Sequence, residues 1–293
     1  MNPHREIVPN GKCVAALCAA LVVSTVVFLP SNGRATPYNM NDQGSTAIVD
    51  PDSNSGMTSW TVNGQNQLDQ QSFWYRINNG IANSVTSISA ASVTTSSGLD
   101  GINDVKAVYD NSSNIKLTLD YSLAGGGVGS GAADLTESVM FKNTGSSAYT
   151  LNFYQYSNFN LLGDASHDTV SLFGSGPGGS APYYYVYQAN GSTAISEGIV
   201  SPFATRGETA YYNTTLTELG GTPNLQLDDN AGPTGPGDVT WAFQWTVLLN
   251  PGDMLDLSKD LDMSIAPVPE PSALLLIALG MGALGLSLRR KLA

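Results

Sequence analysis

Apolar and polar residues alternate along most of this chain. Leu117, Leu119, Tyr121 and Leu123 share one parity, with Lys116, Thr118, Asp120 and Ser122 between them. WAFQWTVLL repeats the pattern through Trp241, Phe243, Trp245 and Val247, and LTESVMF does so through Leu135, Val139 and Phe141. A period of two predicts half-buried antiparallel strands. Turn formers punctuate these runs at Asn78-Asn79-Gly80, Asp110 to Ser113, Asn143 to Ser147 and Asn250-Pro251-Gly252-Asp253. DVKAVYD, NSSN and IKLTLDYSL then read as a hairpin, as do LTESVMFKN, TGSSA and YTLNFYQYSNFNL. The spacing predicts roughly a dozen to fifteen strands and no helix in the body. The expected fold is all-β, an antiparallel two-sheet sandwich of jelly-roll-like form. Two smaller sandwiches divided near 174–182, in the glycine-rich GSGPGGS, are the alternative.

Both ends break the alternation. Arg5 and Lys12 precede an uncharged run, Val14 to Leu29, which Pro30 stops. Gly33 and Ala35 then place small residues at the -3 and -1 positions of a cut after Ala35. Residues 1–35 thus read as a secretory signal peptide with a helical core. Leu17 occupies the place where a lipoprotein signal ending at Cys18 needs a small residue. At the other end, Ala273 to Leu288 is uncharged and is followed by Arg289, Arg290 and Lys291. Read as a single transmembrane helix (273–288) with its basic end in the cytoplasm, it leaves the body, 36–267, outside. Pro269 and Pro271 hold the stretch before it extended, and Glu270 resists entering the bilayer.

Val268-Pro269-Glu270-Pro271-Ser272, an apolar helix and a basic tail, together residues 268–293, resemble the PEP-CTERM sorting signal. The resemblance implies an exosortase as partner. It further implies export across the inner membrane of a Gram-negative bacterium, cleavage near the motif, and delivery to the cell surface or medium. Such bacteria usually also make exopolysaccharide. The FWYR, FKNTGSSAYTLNFYQYSNFNL and WAFQW…PGD stretches resemble the bodies of other proteins with this tail. That likeness implies a shared β fold and nothing further.

The body holds six basic and twenty-two acidic side chains, an excess of sixteen negative charges within a chain of net charge -12. Nucleic acid and anionic membrane are poor partners for it. Cys13 and Cys18 are the chain's two cysteines and both lie in the signal, so the body has neither a disulfide nor a thiol nucleophile.

Candidate chemistry is sparse. Gly174, Gly176 and Gly179 have GxGxxG spacing, but Pro177 interrupts them and a strand-like run follows. Asp50, Asp52, Asn54 and Gly56 approach a calcium loop with the glycine one place late and Thr61 where a bidentate Glu belongs. Asp228-Asp229-Asn230 and Asp164 with Asp168 are other oxygen-rich loops where a structural calcium ion could sit. His167 is the body's one histidine and adjoins Ser166 and Asp168, yet triads are assembled from distant segments. Asn111, Asn190 and Asn213 head glycosylation sequons of little weight in a bacterium. Tyr183, Tyr184, Tyr185 and Tyr187, and Phe73-Trp74-Tyr75, could form a sugar-stacking platform, although alternate residues of such strands ordinarily fill a core.

No catalytic, cofactor or metal residue is assigned. The expected function is a non-enzymatic structural or adhesive surface component, linked to exopolysaccharide or biofilm. A carbohydrate-binding module is the alternative, and a surface glycoside hydrolase or lyase, which would need paired carboxylates, comes last.

Overall fold

The computed structural model describes residues 36–265. The expected signal helix with its cut after Ala35, the Val268–Ser272 motif, the 273–288 helix and the basic tail lie outside the described residues. No helix among the described residues is long and apolar enough to cross a membrane.

In chain order the strands are β1 (Tyr38–Asp42), β2 (Ser45–Val49), β3 (Met57–Val62), β4 (Gln65–Asn66), β5 (Leu68–Ile77) and β6 (Asn83–Ser84). There follow β7 (Ser92–Ser97), β8 (Ile102–Asp110), β9 (Ile115–Gly125), β10 (Ala132–Asn143), β11 (Tyr149–Phe159) and β12 (Asp168–Gly174). The last are β13 (Tyr183–Asn190), β14 (Thr193–Ser201), β15 (Arg206–Tyr211), β16 (Thr234–Gly237), β17 (Val239–Leu249) and β18 (Met254–Ser264), with helix α1 (Thr214–Gly221) after β15. Two nine-stranded sheets form. Sheet A runs β1-β2-β3-β5-β11-β17-β15, with β4 beside β3 and β6 beside β5. Sheet B runs β16-β12-β13-β14-β18-β10-β9-β8-β7, and all its pairings are antiparallel.

This is the all-β, two-sheet antiparallel sandwich that the alternation predicts. The strands beyond the expected number include the two-residue pieces β4 and β6, too short for any periodicity to register. Helix α1 departs from the expectation of no helix. It has eight residues, too few for a helical period to register, and its N-cap, Asn213, is left-handed (φ 68) and makes no side-chain cap bond. The 174–182 stretch joins neighbouring strands β12 and β13 of one sheet.

Inward-facing residues of both sheets make one core. Phe159 stacks on Trp241 at 5.1 Å and meets Trp60 edge-on, while Phe73 stacks on Phe153 at 5.6 Å. Trp60 donates its indole N–H to the Ser45 hydroxyl at 2.9 Å, so its polar edge is not stranded. Charge is buried here as well. Lys259, fully enclosed, donates to Glu137 and Gln155, lies 3.5 Å from Glu197 and sits 4.8 Å above the Phe73 ring. Two carboxylates thus share one ammonium, and burial lifts the Glu197 carboxyl to about 6.

Candidate functional site

The outer faces of the two sheets carry the chemistry, and they differ. On sheet A the outward residues of β5, β11 and β17 include Arg76, Tyr154, Tyr156 and Ala242, and all four are buried. Helix α1 and the segment 222–230 cover them with Leu219, Leu225 and Leu227. Arg76 donates through Nη2 to the Leu225 carbonyl at 3.0 Å and to the Tyr154 hydroxyl at 3.3 Å. Tyr154 donates to the same carbonyl at 2.9 Å. Gln244 accepts from the Leu227 N–H at 3.0 Å, and Glu208 accepts from Thr215 and from the Asp228 N–H. A neighbouring cavity of about 440 Å³, lined by Glu208, Tyr211, Glu218 and Gln226, has its most buried acid engaged in holding this cover down.

Among the described residues, no segment covers the outer face of sheet B in this way. Along β13 the burial order is Tyr183 in, Tyr184 out, Tyr185 half-buried, Val186 in and Tyr187 out. The break in alternation has a specific cause. Gly174 pairs with Tyr183 but Phe173 pairs with Tyr185, so Tyr184 is an extra residue, a β-bulge. Without it Tyr185 and Tyr187 would follow Tyr183 into the core; with it they turn outward. Phe173 and Tyr187 are each 43% exposed, and the Phe173 and Tyr185 rings lie 5.7 Å apart. Tyr184 pairs with Phe203 at 5.5 Å at the end of the strand.

The register continues this face across the sheet. One row reads Phe173, Tyr185, Gly198, Asp260, Thr136; the next reads Ser171, Tyr187, Ser196, Asp262, Asp134. An aromatic ridge on β12 and β13 therefore gives way to small residues on β14 and then to carboxylates on β18 and β10. Asp134, Asp260 and Asp262 hold oxygens within 4.8 Å of one another. Burial, reinforced by the Asp260 charge, lifts the Asp134 carboxyl to about 6. The carboxyls can accept hydrogen bonds or attract a cation, and the rings can stack on flat apolar faces.

The other candidates resolve into structure. Phe73 enters the core, Tyr75 packs at 5.7 Å on Phe141, and half-buried Trp74 donates to Ser72. That half of the expected platform is packing. Asp50 and Asp52 accept from the N–H groups of Asp52 and Ala91, while Asn54 accepts from Thr86. Asp228 accepts from the Asn230 N–H, and Asp229 pairs with Arg206 at 2.7 Å. Asp168 is buried, accepts from Gln188 and the Leu161 N–H, and is raised to about 6 by burial. Asp164, by contrast, is lowered to about 2, chiefly by bonds from Ser166. His167 is exposed, and Ser166 and Asp164 both address its Nδ1, at 2.8 and 2.9 Å. A triad needs Ser and Asp on opposite ring nitrogens, so this is a loop knot. Gly174 to Gly179 forms a tight turn between two strands. The carboxylate trio was not among the sequence candidates; its one linear signal was the outward parity of Asp260 and Asp262 in β18.

Residues 267–291 match the PEP-CTERM protein-sorting motif. No curated protein gives a significant match. Among solved structures, a galactose mutarotase related enzyme from Lactobacillus acidophilus is 9% identical, with a TM-score of 0.54 over 80% of this chain and 99% of that one. A putative aldose 1-epimerase from Escherichia coli is 8% identical, with a TM-score of 0.50 over 80% and 99%. At such identities the likeness is one of fold. The chain carries a PEP-CTERM protein-sorting motif; the motif implies export, membrane anchoring before processing, and an exosortase-sorted surface protein.

Proposed function

We infer that this exported protein is a non-enzymatic surface component that holds polysaccharide on the open face of sheet B. The observation that carries the reading is the outward group of Phe173, Tyr185 and Tyr187 on a face that no described segment covers. Large rings left in water on one side of a sandwich support a binding surface; the aromatics of β5, β11 and β17 are buried or, at Trp74 and Tyr75, half-buried, and on sheet A the exposed ring is Tyr211 on the edge strand β15. Aromatic faces stack on the C–H faces of sugars, and a sorting tail brings the body to where exopolysaccharide lies.

Against catalysis stands the placement of the acids. Asp134 and Asp262 are direct cross-strand partners with Asp260 close by, nearer together than the about 5–10 Å between the facing carboxylates of a glycosidase, which supports a binding role. Glu137 and Glu197 are sealed in the core. The test is affinity electrophoresis of the full-length chain, in mild detergent, through gels containing neutral polysaccharides. Retardation is expected, and its loss in Phe173→Ala/Tyr187→Ala with an unchanged circular dichroism spectrum. Equal retardation of parent and variant, or none of either, would sink the reading. Sorting has its own test. Replacing Pro269, Glu270 and Pro271 by Ala in an exosortase-bearing host should leave the protein unprocessed; unaltered mass and location refute it.

A further inference from the structure

We propose that the open face of sheet B selects a cationic polysaccharide, one whose sugars carry free amino groups, with the rings of Tyr185 and Tyr187 stacking one sugar while Asp134, Asp260 and Asp262 hold the ammonium of another. This rests on the polysaccharide reading above and adds the class of polymer. The geometry is fixed by register. Tyr185 and Tyr187 are separated from Asp260 and Asp262 by one intervening strand, β14. At a strand spacing of about 4.8 Å the strand that carries the rings lies about 10 Å from β18, with Asp134 one strand farther on β10, a gap on the scale of neighbouring sugars of one chain. The floor between them is Gly198 and Ser196. Gly198 has open space where a Cβ would stand, with nothing within 4 Å, so a polymer can lie across the strands without a ridge in its path.

Charge sets the choice of polymer. Among the described residues the ion pairs are Lys106–Asp120, His167–Asp164, Arg206–Asp229 and Lys259 with Glu137 and Glu197, and none involves the trio. Thr136 donates one hydroxyl to Asp260 at 3.2 Å. Three carboxylates beside an aromatic row therefore lack a counter-charge. A uronic-acid chain is repelled there, and a neutral chain stacks on the rings but leaves the carboxylates unanswered. An ammonium-bearing chain answers both, and a hydrogen-bonded charge pair is stronger than a neutral contact.

Affinity electrophoresis of the full-length chain through gels with chitosan, glycol chitin or alginate tests this. Chitosan and glycol chitin share the glucosamine backbone; the amine is free in chitosan and acetylated in glycol chitin, which also carries neutral hydroxyethyl groups. Chitosan should bind at least tenfold more tightly than glycol chitin, and alginate should not bind. Asp260→Asn/Asp262→Asn should bring chitosan down to the level of glycol chitin and leave glycol chitin unchanged. Asp69→Asn/Glu218→Gln, an equal charge change on the sheet A side, should keep chitosan binding. Equal loss in both doubles would show general attraction to an acidic protein and overturn the proposal. Equal affinity for chitosan and glycol chitin overturns the amine preference and leaves the polysaccharide reading standing. Absence of binding to both polymers overturns the proposal and the polysaccharide reading together. Tight alginate binding that needs added calcium would assign the trio to a divalent cation and also overturn it.

Discussion

The two outer faces of this sandwich start from similar material and end with opposite roles. Sheet A presents Tyr154, Tyr156 and Trp74 outward, and sheet B presents Phe173, Tyr185 and Tyr187. On sheet A the chain returns after β15, lays α1 and residues 222–230 over the rings, and fastens them through Arg76, Gln244 and Glu208. On sheet B no described segment returns. An outward aromatic on a strand is therefore a packing residue or a contact residue according to whether another segment covers it, not according to its own character. Burying rings under a cover contributes stability, whereas leaving them in water leaves a surface for a ligand.

The strongest way to break the comparison is to lift the cover. Arg76→Ala removes a buried cation that bonds Leu225 and Tyr154 and should cost about 3 kcal/mol in urea unfolding. Protease cleavage within 214–230 should rise with it. A cost under about 1 kcal/mol would mean that the cover is incidental and that the two faces do not differ in kind.

Between the faces, the interior cluster gives a smaller, pH-dependent effect. Glu197 is raised from its ordinary 4.5 to about 6, first by burial. Its contribution to stability is complete below its ordinary value and is lost as pH rises through 6. Glu197→Gln lacks that loss, so relative to the parent it should gain on the order of 2 kcal/mol between about pH 4 and pH 7. Chemical unfolding at both pH values checks the sign, and a relative loss at pH 7 contradicts it.

On sheet B the expected stability effect is smaller again. Tyr187→Ala should shift unfolding by less than about 1 kcal/mol while weakening polysaccharide retention. A stability loss as large as that of Arg76→Ala would make Tyr187 a packing residue and erase the contrast. The smallest effect belongs to the exposed loop knot. His167→Ala should change stability by no more than about 0.5 kcal/mol and leave retention alone; altered retention would move the site to the Asp164–Asp168 loop.

Parts of this were legible in the residues. The runs through Leu117 to Leu123 and Trp241 to Val247 are strands with the expected faces inward. FWYR shows the limit: period two places Phe73 inside, yet nothing near it in sequence tells that Trp74 and Arg76 would be covered as well. The Tyr183–Tyr187 run shows a second limit, since the bulge at Tyr184 exists only through pairing with β12. Helix α1 escapes the pattern because its eight residues are too few for a helical period to register.

By itself, then, the sequence determined the β class and the sorting tail. Alternation reports a local half-buried surface, and a contiguous motif is complete in its own twenty-five residues, 267–291. Only the tertiary structure decided which aromatics meet solvent and that Asp134 joins Asp260 and Asp262 from more than a hundred residues away. The reason is physical: which face a strand shows depends on its partner's register, and one inserted residue at Tyr184 turns Tyr185 and Tyr187 from the core to the water.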